Sequence, residues 1–234
     1  MLIISFLGLV HNVKSVSFSF PSFGSYTNDI TLQGEAYVNS EGAIKLTPLS
    51  PNNVGRASYA APLHLWDAKT GKLAGFNTTF SFVVAPNVPG LFGDGIAFFL
   101  APFNSNIPNN SSGGFLGLFS PNVEFDSFSG NPWDPPSAHV GIDVNSIASV
   151  TTRKWETGNS FEVAYATVNY EPIGKSLNVL VTYPGSSLNA TSLSFVIDLR
   201  TVLPEWIRVG FSGATGQLVE THKIYSWTFA SSFY

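Results

Sequence analysis

The sequence has no cysteine and a single methionine in 234 residues. Without thiols there is no disulfide scaffold, no zinc–thiolate site and no cysteine nucleophile. Secretion remains open, because a domain of this size is stable without staples. Charge is also scarce. The chain has 11 Lys and Arg against 15 Asp and Glu, 11% in all, where globular proteins carry about 25%. A net charge of −4 leaves no basic stripe to displace counterions, which excludes nucleic acid as a partner. Beyond the N-terminus no apolar run approaches the ~20 residues of a membrane span, so the body of the chain is expected to be soluble. There is no G-x-S-x-G elbow, no P-loop and no H-E-x-x-H.

The chain is rich in core and turn material. Hydrophobic residues make up 44%, with 20 Phe and 5 Trp, alongside 21 Gly and 15 Pro. That supplies a large core, excludes disorder, and carries too many breakers for a helix bundle. Short runs with period-2 alternation recur between turn residues: Phe76 to Val84, Phe161 to Val168, Ser176 to Tyr183 and Trp206 to Phe211. β-branched and aromatic residues fill one face of each, and Thr, Ser or Asn the other. One helical turn is expected near Arg200, ended by Pro204. The pattern predicts an all-β chain, an antiparallel two-sheet β-sandwich in a single domain.

Met1 to Val10 is uncharged and apolar, and His11-Asn-Val-Lys-Ser15 follows it. This reads as the hydrophobic and cleavage regions of a secretory signal over residues 1–15, leaving 16–234 as the domain. A buried N-terminal strand is the alternative, since no basic residue precedes the run. The Asn-x-Ser/Thr acceptors at Asn77, Asn109, Asn110 and Asn189 agree with a secreted or vacuolar protein.

The chemistry concentrates between Val123 and Asp143. In a strand, Glu124 and Asp126 share one face while Val123 and Phe125 turn into the core. Pro132, Pro135 and Pro136 force a loop, and His139 opens the next alternating run. If the two runs pair as a hairpin, His139, Asn131 and Asp134 close over Glu124 and Asp126. No Lys or Arg lies between Asp126 and His139, so a divalent cation is the natural counter-charge. Oxygen ligands suit Ca²⁺, and one imidazole added to carboxylates suits a Mn²⁺-type ion. From spacing alone, a solvated strand face with a lone histidine fits equally well. Paired same-face carboxylates also occur in glycoside hydrolases, but the third acid of the E-x-D-x-x-E pattern is absent here, and no enzyme is expected.

These residues match a family. Val123-Glu-Phe-Asp-Ser127, Asn131-Pro-Trp-Asp134 and His139-Val-Gly-Ile-Asp-Val-Asn-Ser146 resemble the metal-binding signature of legume (L-type) lectins. Ser17 to Phe20, Gly95 to Pro102, Gly114 to Phe119, Leu203 to Trp206, Val209 to Gly216 and Ser226 to Phe229 resemble other blocks of that family in the same order. The resemblance implies a jelly-roll sandwich of the concanavalin-like lectin fold, binding Mn²⁺ and Ca²⁺ beside a shallow sugar pocket. By the same resemblance, Glu124, Asp126, Asp134 and His139 would hold Mn²⁺, with Ser146 close through water. Asp126, the Phe128 carbonyl, Asn131 and Asp134 would hold Ca²⁺. One departure stands out: the family usually has Asn four residues after the bridging Asp, where this chain has Gly130, and the intact Asn-Pro-Trp-Asp run points to Asn131 instead.

The resemblance also implies the sugar site. Asp94, between two glycines, would accept hydrogen bonds from vicinal hydroxyls, often after a cis peptide. The Asn131 amide and the Gly114 N–H would donate, and the Phe128 ring would face the pyranose. Only Gln217, Leu218 and Val219 separate Gly216 from Glu220, a short loop resembling the mannose/glucose group, in which the Gln217 and Leu218 N–H groups assist. The expected partners are glycans, bound by a homodimer or larger homo-oligomer. The alternative is a lectin-like storage or defence protein, or a receptor-kinase ectodomain, with weak or no sugar binding. Such loss would show as erosion of Asp94, Asn131 or the metal ligands, and all are filled.

Overall fold

The computed structural model describes residues 15–233 except 25, 27, 120 and 158–161. The expected signal segment, residues 1–14, lies outside the described residues. So does Phe161, the first residue of one predicted strand.

In chain order the strands are β1 (Val16–Phe20), β2 (Ile30–Gly34), β3 (Tyr37–Val38), β4 (Ile44–Lys45), β5 (Val54–Tyr59), β6 (Leu63–His64), β7 (Ala74–Pro86) and β8 (Gly95–Pro102). They continue as β9 (Asn122–Asp126), β10 (His139–Asp143), β11 (Thr151–Lys154), β12 (Ala164–Glu171), β13 (Ser176–Thr182), β14 (Thr191–Val196), β15 (Trp206–Ala214) and β16 (Glu220–Phe233). Two eight-stranded antiparallel sheets result. One runs β14-β13-β12-β7-β16-β4-β3, with β1 added on β16. The other runs β11-β10-β9-β8-β15-β5-β2, with β6 added on β15. Neighbours in space are mostly distant in sequence, as in a jelly roll. The expected turn near Arg200 is a single 3-10 turn, Leu199–Thr201, whose N-cap Asp198 accepts the Arg200 N–H.

The inner faces of both sheets form one core, in which Phe80 packs edge-on against Phe125 and Phe211, and Phe211 against Trp227. Alternation explains the partition. On β12, Ala164, Ala166, Val168 and Tyr170 are buried while Tyr165 and Glu171 are exposed. Arg56, on β5, is the exception: only 2% exposed, it lies over the Phe99 ring and donates to the Gly117 carbonyl. Burial pushes its guanidinium down to about 10, helped by the charge of Arg208.

The register of β8, β9 and β10 places the site. Asp126 is opposite Gly95 on one side and His139 on the other, and Glu124 is opposite Ala97 and Gly141. The turn before Gly95 and the hairpin loop 127–138 therefore emerge at the same edge of the sandwich.

Candidate functional site

Glu124 and Asp126 lie on the face of β9 turned away from the core, yet both are buried, as are Val123 and Phe125 on the inner side. The loop and β10 close over them. Glu124 Oε1 lies 3.0 Å from His139 Nε2, and Glu124, Asp134 and His139 each offer a ligand atom within 4.8 Å of the others. Burial, then the charges of Glu124 and Asp134, pushes the Asp126 carboxyl up to about 10. Burial likewise raises Asp134, against the Asn131 hydrogen bond. Burial alone would lower His139, but the hydrogen bond and charge of Glu124 carry it above its ordinary value. Among the described residues, no Lys or Arg pairs with this cluster. A buried group of carboxylates and one imidazole without a basic partner has the donor set of a hard or borderline cation, so these residues fit a metal ion.

The second carboxylate layer is not in the sequence reading. Ser149 Oγ lies 2.6 Å from Glu124 Oε1 and 2.7 Å from Asp143 Oδ1, and Asn122 Nδ2 donates to Asp143 Oδ2 at 3.2 Å. Burial and the neighbouring Glu124 charge raise the Asp143 pKa. Ser146, expected near the metal, is exposed and its Oγ accepts the Ala148 N–H at 3.0 Å. The chain turns at Asn145, in the left-handed region with φ 50°, before Val150 N–H returns to the Ile142 carbonyl. That return brings Ser149, not Ser146, onto Glu124.

Asn131 links the acidic cluster to the Gly113–Phe115 turn. Its Nδ2 donates to Asp134 Oδ2 at 2.8 Å. It also lies against Gly114, where an added Cβ would sit 2.3 Å from the same nitrogen. At Gly130 a Cβ would lie 2.4 Å from the Phe128 ring, so any side chain there would have to displace that ring. Phe128 is half-buried, and its N–H donates to Asp126 Oδ1 at 2.6 Å.

Asp94 follows a cis peptide from Gly93 and is 5% exposed. Its N–H donates to the Ala214 carbonyl at 3.2 Å, and its carbonyl accepts the Ser127 N–H at 3.1 Å. The Gly216 N–H bonds its carboxylate, while Oδ2 has no partner among the described residues. Burial and the charge of Glu220 push the carboxyl up to about 6, partly offset by His222. Gly113 and Gly216 border the carboxylate; a Cβ at 216 would lie 2.9 Å from Oδ2. Leu218 is half-buried and packs on Gly93, and Gln217 is exposed. The arrangement is a buried acceptor bordered by glycines, with one oxygen left for a donor such as a hydroxyl group.

A two-sheet jelly roll with this paired acidic cluster and polar acceptor pocket is the architecture of a carbohydrate-binding protein. Residues 15–234 match the legume lectin domain model. The chain is 60% identical to Lectin 7 of Medicago truncatula, covering 99% of this chain and 94% of that protein. It is similar to lectin II from Ulex europaeus, with TM-score 0.88, 45% identity and coverage of 93% of this chain and 98% of that one. It is also similar to the lectin UEA-II complexed with galactose, with TM-score 0.86, 42% identity and coverage of 93% and 98%. The chain belongs to the legume lectin family, whose members bind carbohydrate without catalysis.

Beyond Ser149, Asp143 and Asn122, the sequence reading missed Glu220 and His222. Their spacing at i and i+2 on β16 puts them on one face, the same signal that marked Glu124 and Asp126.

Proposed function

We propose that the chain is a metal-dependent lectin that binds the terminal hexose of a glycan at Asp94, with mannose or glucose preferred. The observation that carries the reading is Asp94 Oδ2, a buried carboxylate oxygen without a partner among the described residues. Two vicinal hydroxyls would donate to this carboxylate in charge-assisted bonds. The Gly114 N–H and the Asn131 amide would donate from the opposite side, the Phe128 ring would pack on the C–H face, and the Gln217 and Leu218 N–H groups would close the rim.

Glu124, Asp126, Asp134 and His139 would hold a Mn²⁺-type ion, with Ser149 hydrogen-bonded behind Glu124. Asp126, the Phe128 carbonyl, Asn131 and Asp134 would hold Ca²⁺. Bound ions would supply positive charge that lets these carboxylates remain ionised together. Asn131 would then present its Oδ1 to the metal side and its N–H to the sugar, so binding depends on metal.

The short loop of Gln217 to Val219 supports mannose or glucose. Galactose is the second reading, favoured by the galactose complex of the UEA-II relative. A shallow site binds single sugars weakly, and a homodimer would raise avidity toward multivalent glycoproteins. Secretion is part of the proposal, consistent with the apolar N-terminal run and the exposed Asn77 and Asn189 acceptors.

Glycan-array binding with and without EDTA tests the reading. The expected result is retention on mannose- or glucose-terminated glycans that EDTA abolishes and added Ca²⁺ and Mn²⁺ restore. Retention on galactose alone overturns the sugar assignment, and chelator-insensitive binding overturns the metal dependence.

A further inference from the structure

Beneath Asp94 lies a buried polar chain that neither the metal cluster nor the sugar contacts account for. Glu220 and His222 are both fully buried on one face of β16. His222 Nε2 lies 2.9 Å from Glu220 Oε1, and His222 Nδ1 lies 2.8 Å from Thr47 Oγ1. Ser127 Oγ donates to the same Glu220 Oε1 at 2.6 Å. Ser127 in turn holds the Asp94 carbonyl through its N–H at 3.1 Å, with its Oγ 3.2 Å away. Four residues from three distant parts of the sequence thus end on the backbone of the pocket aspartate.

We infer that Glu220 is a positioning residue of the sugar pocket, fixing Ser127 beneath Asp94 and keeping the Asp94 carboxylate free for ligand hydroxyls. The inference rests on the reading of Asp94 as the sugar acceptor.

The chemistry of the chain explains both parts. Ser127 has one hydroxyl proton, and the charged acceptor at 2.6 Å takes it in preference to the carbonyl at 3.2 Å. That bond fixes the Ser127 rotamer, and with it the peptide whose N–H holds Asp94 in place. His222, anchored by Thr47, fills the other side of Glu220 Oε1, so the carboxylate cannot turn away.

Glu220 Oε2, like Asp94 Oδ2, is buried without a partner among the described residues. Two buried carboxylates, each with an unpartnered oxygen, are a cost that a purely structural arrangement would remove. The chain ends on the Asp94 backbone carbonyl through Ser127, and Glu220, an acceptor, offers no proton to Oδ2. Charged groups facing Asp94 are Glu220 and His222 from β16 and Asp134 from the hairpin loop. Removing the Glu220 charge therefore makes Asp94 easier to ionise.

The test uses the full chain loaded with Ca²⁺ and Mn²⁺. Methyl α-D-mannopyranoside and methyl α-D-galactopyranoside are titrated calorimetrically from pH 4.5 to 8, with metal affinity measured separately. Glu220→Gln keeps an oxygen for Ser127 and His222 while losing the charge. It should bind sugar at neutral pH but move the acid midpoint of binding down by about half a pH unit or more. Glu220→Leu should weaken sugar binding by about tenfold or more, with metal affinity within about twofold of the parent. Should Glu220→Leu fail to fold, Ser127→Ala replaces it, with an expected loss of about threefold or more in sugar affinity alone.

Overturning results are an unmoved midpoint in Glu220→Gln, unchanged sugar affinity in the truncated variant, or a loss matched by an equal loss of metal affinity. Asp94→Ala is the control for the underlying reading: if it binds sugar like the parent, the pocket assignment fails, whatever Glu220 does.

Discussion

Gly114 and Asn131 stand so close that a Cβ on residue 114 would lie 2.3 Å from the Asn131 amide nitrogen. The contact joins the one-turn helix Gly113–Phe115 to the hairpin loop 127–138 that carries the proposed metal ligands. Gly114→Val must displace Asn131 from Asp134 and from the pocket. Sugar affinity should fall by about tenfold or more while the far-UV circular dichroism stays that of the parent. Titration calorimetry checks the first and the spectrum the second. Parental affinity would mean that Asn131 does not face the sugar.

Ser149 and Ser146 offer a paired comparison. Ser149→Ala removes the hydroxyl shared by Glu124 and Asp143 and should weaken metal binding by roughly tenfold, the usual scale for groups that orient ligands. Ser146→Ala removes a hydroxyl whose hydrogen bond is to the Ala148 N–H and should leave it unchanged. Metal titration of the chelator-stripped protein separates the two, and the reverse ranking would restore Ser146 to the site.

Metal removal should destabilise the fold most at high pH. Without a cation, burial raises Asp126 to about 10 and also raises Asp134 and Asp143, against about 3.9 in the unfolded chain. Carboxyls raised in this way contribute stability below about pH 4 that is lost as pH climbs toward their folded values. The metal-free protein therefore weakens from pH 5 to pH 8, while bound metal, which competes with those protons, gains. Scanning calorimetry should show the difference in Tm between loaded and EDTA-treated protein widening over that interval by several degrees.

As the proposed sugar acceptor, Asp94 should set the acid limit of sugar binding. Its carboxyl is raised to about 6 by burial and Glu220, and only the ionised form accepts two hydroxyls. Affinity should hold at neutral pH and fall as acid protonates Asp94. Asp94→Asn should abolish binding at every pH without changing metal content. Sugar titrations at matched metal occupancy test both expectations.

Much of this was legible in the sequence because period-2 alternation is a local property. The runs at Phe76, Ser176 and Trp206 are strands, and the shared face of Glu124 and Asp126 follows from a two-residue step. The hairpin partner His139 was legible too, since prolines delimit the loop. Ser149 was not, because it depends on how many residues the turn at Asn145 consumes before the chain returns. Thr47 and His222 meet across 175 positions, and no local pattern announces such a contact. Arg56 sits at an ordinary outward position of β5, and only the loop folded over that face buries it.

One cross-strand row runs Gly95, Asp126, His139, so the turn holding Asp94 and the histidine of the acidic cluster flank the same residue of the central strand. Length changes are therefore tolerated very unequally. Between the strands an added residue is absorbed, with Asn131 still reaching Asp134 and Gly114. Immediately before Glu124 the same addition would turn Glu124 and Asp126 inward and Phe125 outward. Both proposed binding duties would then be lost at once.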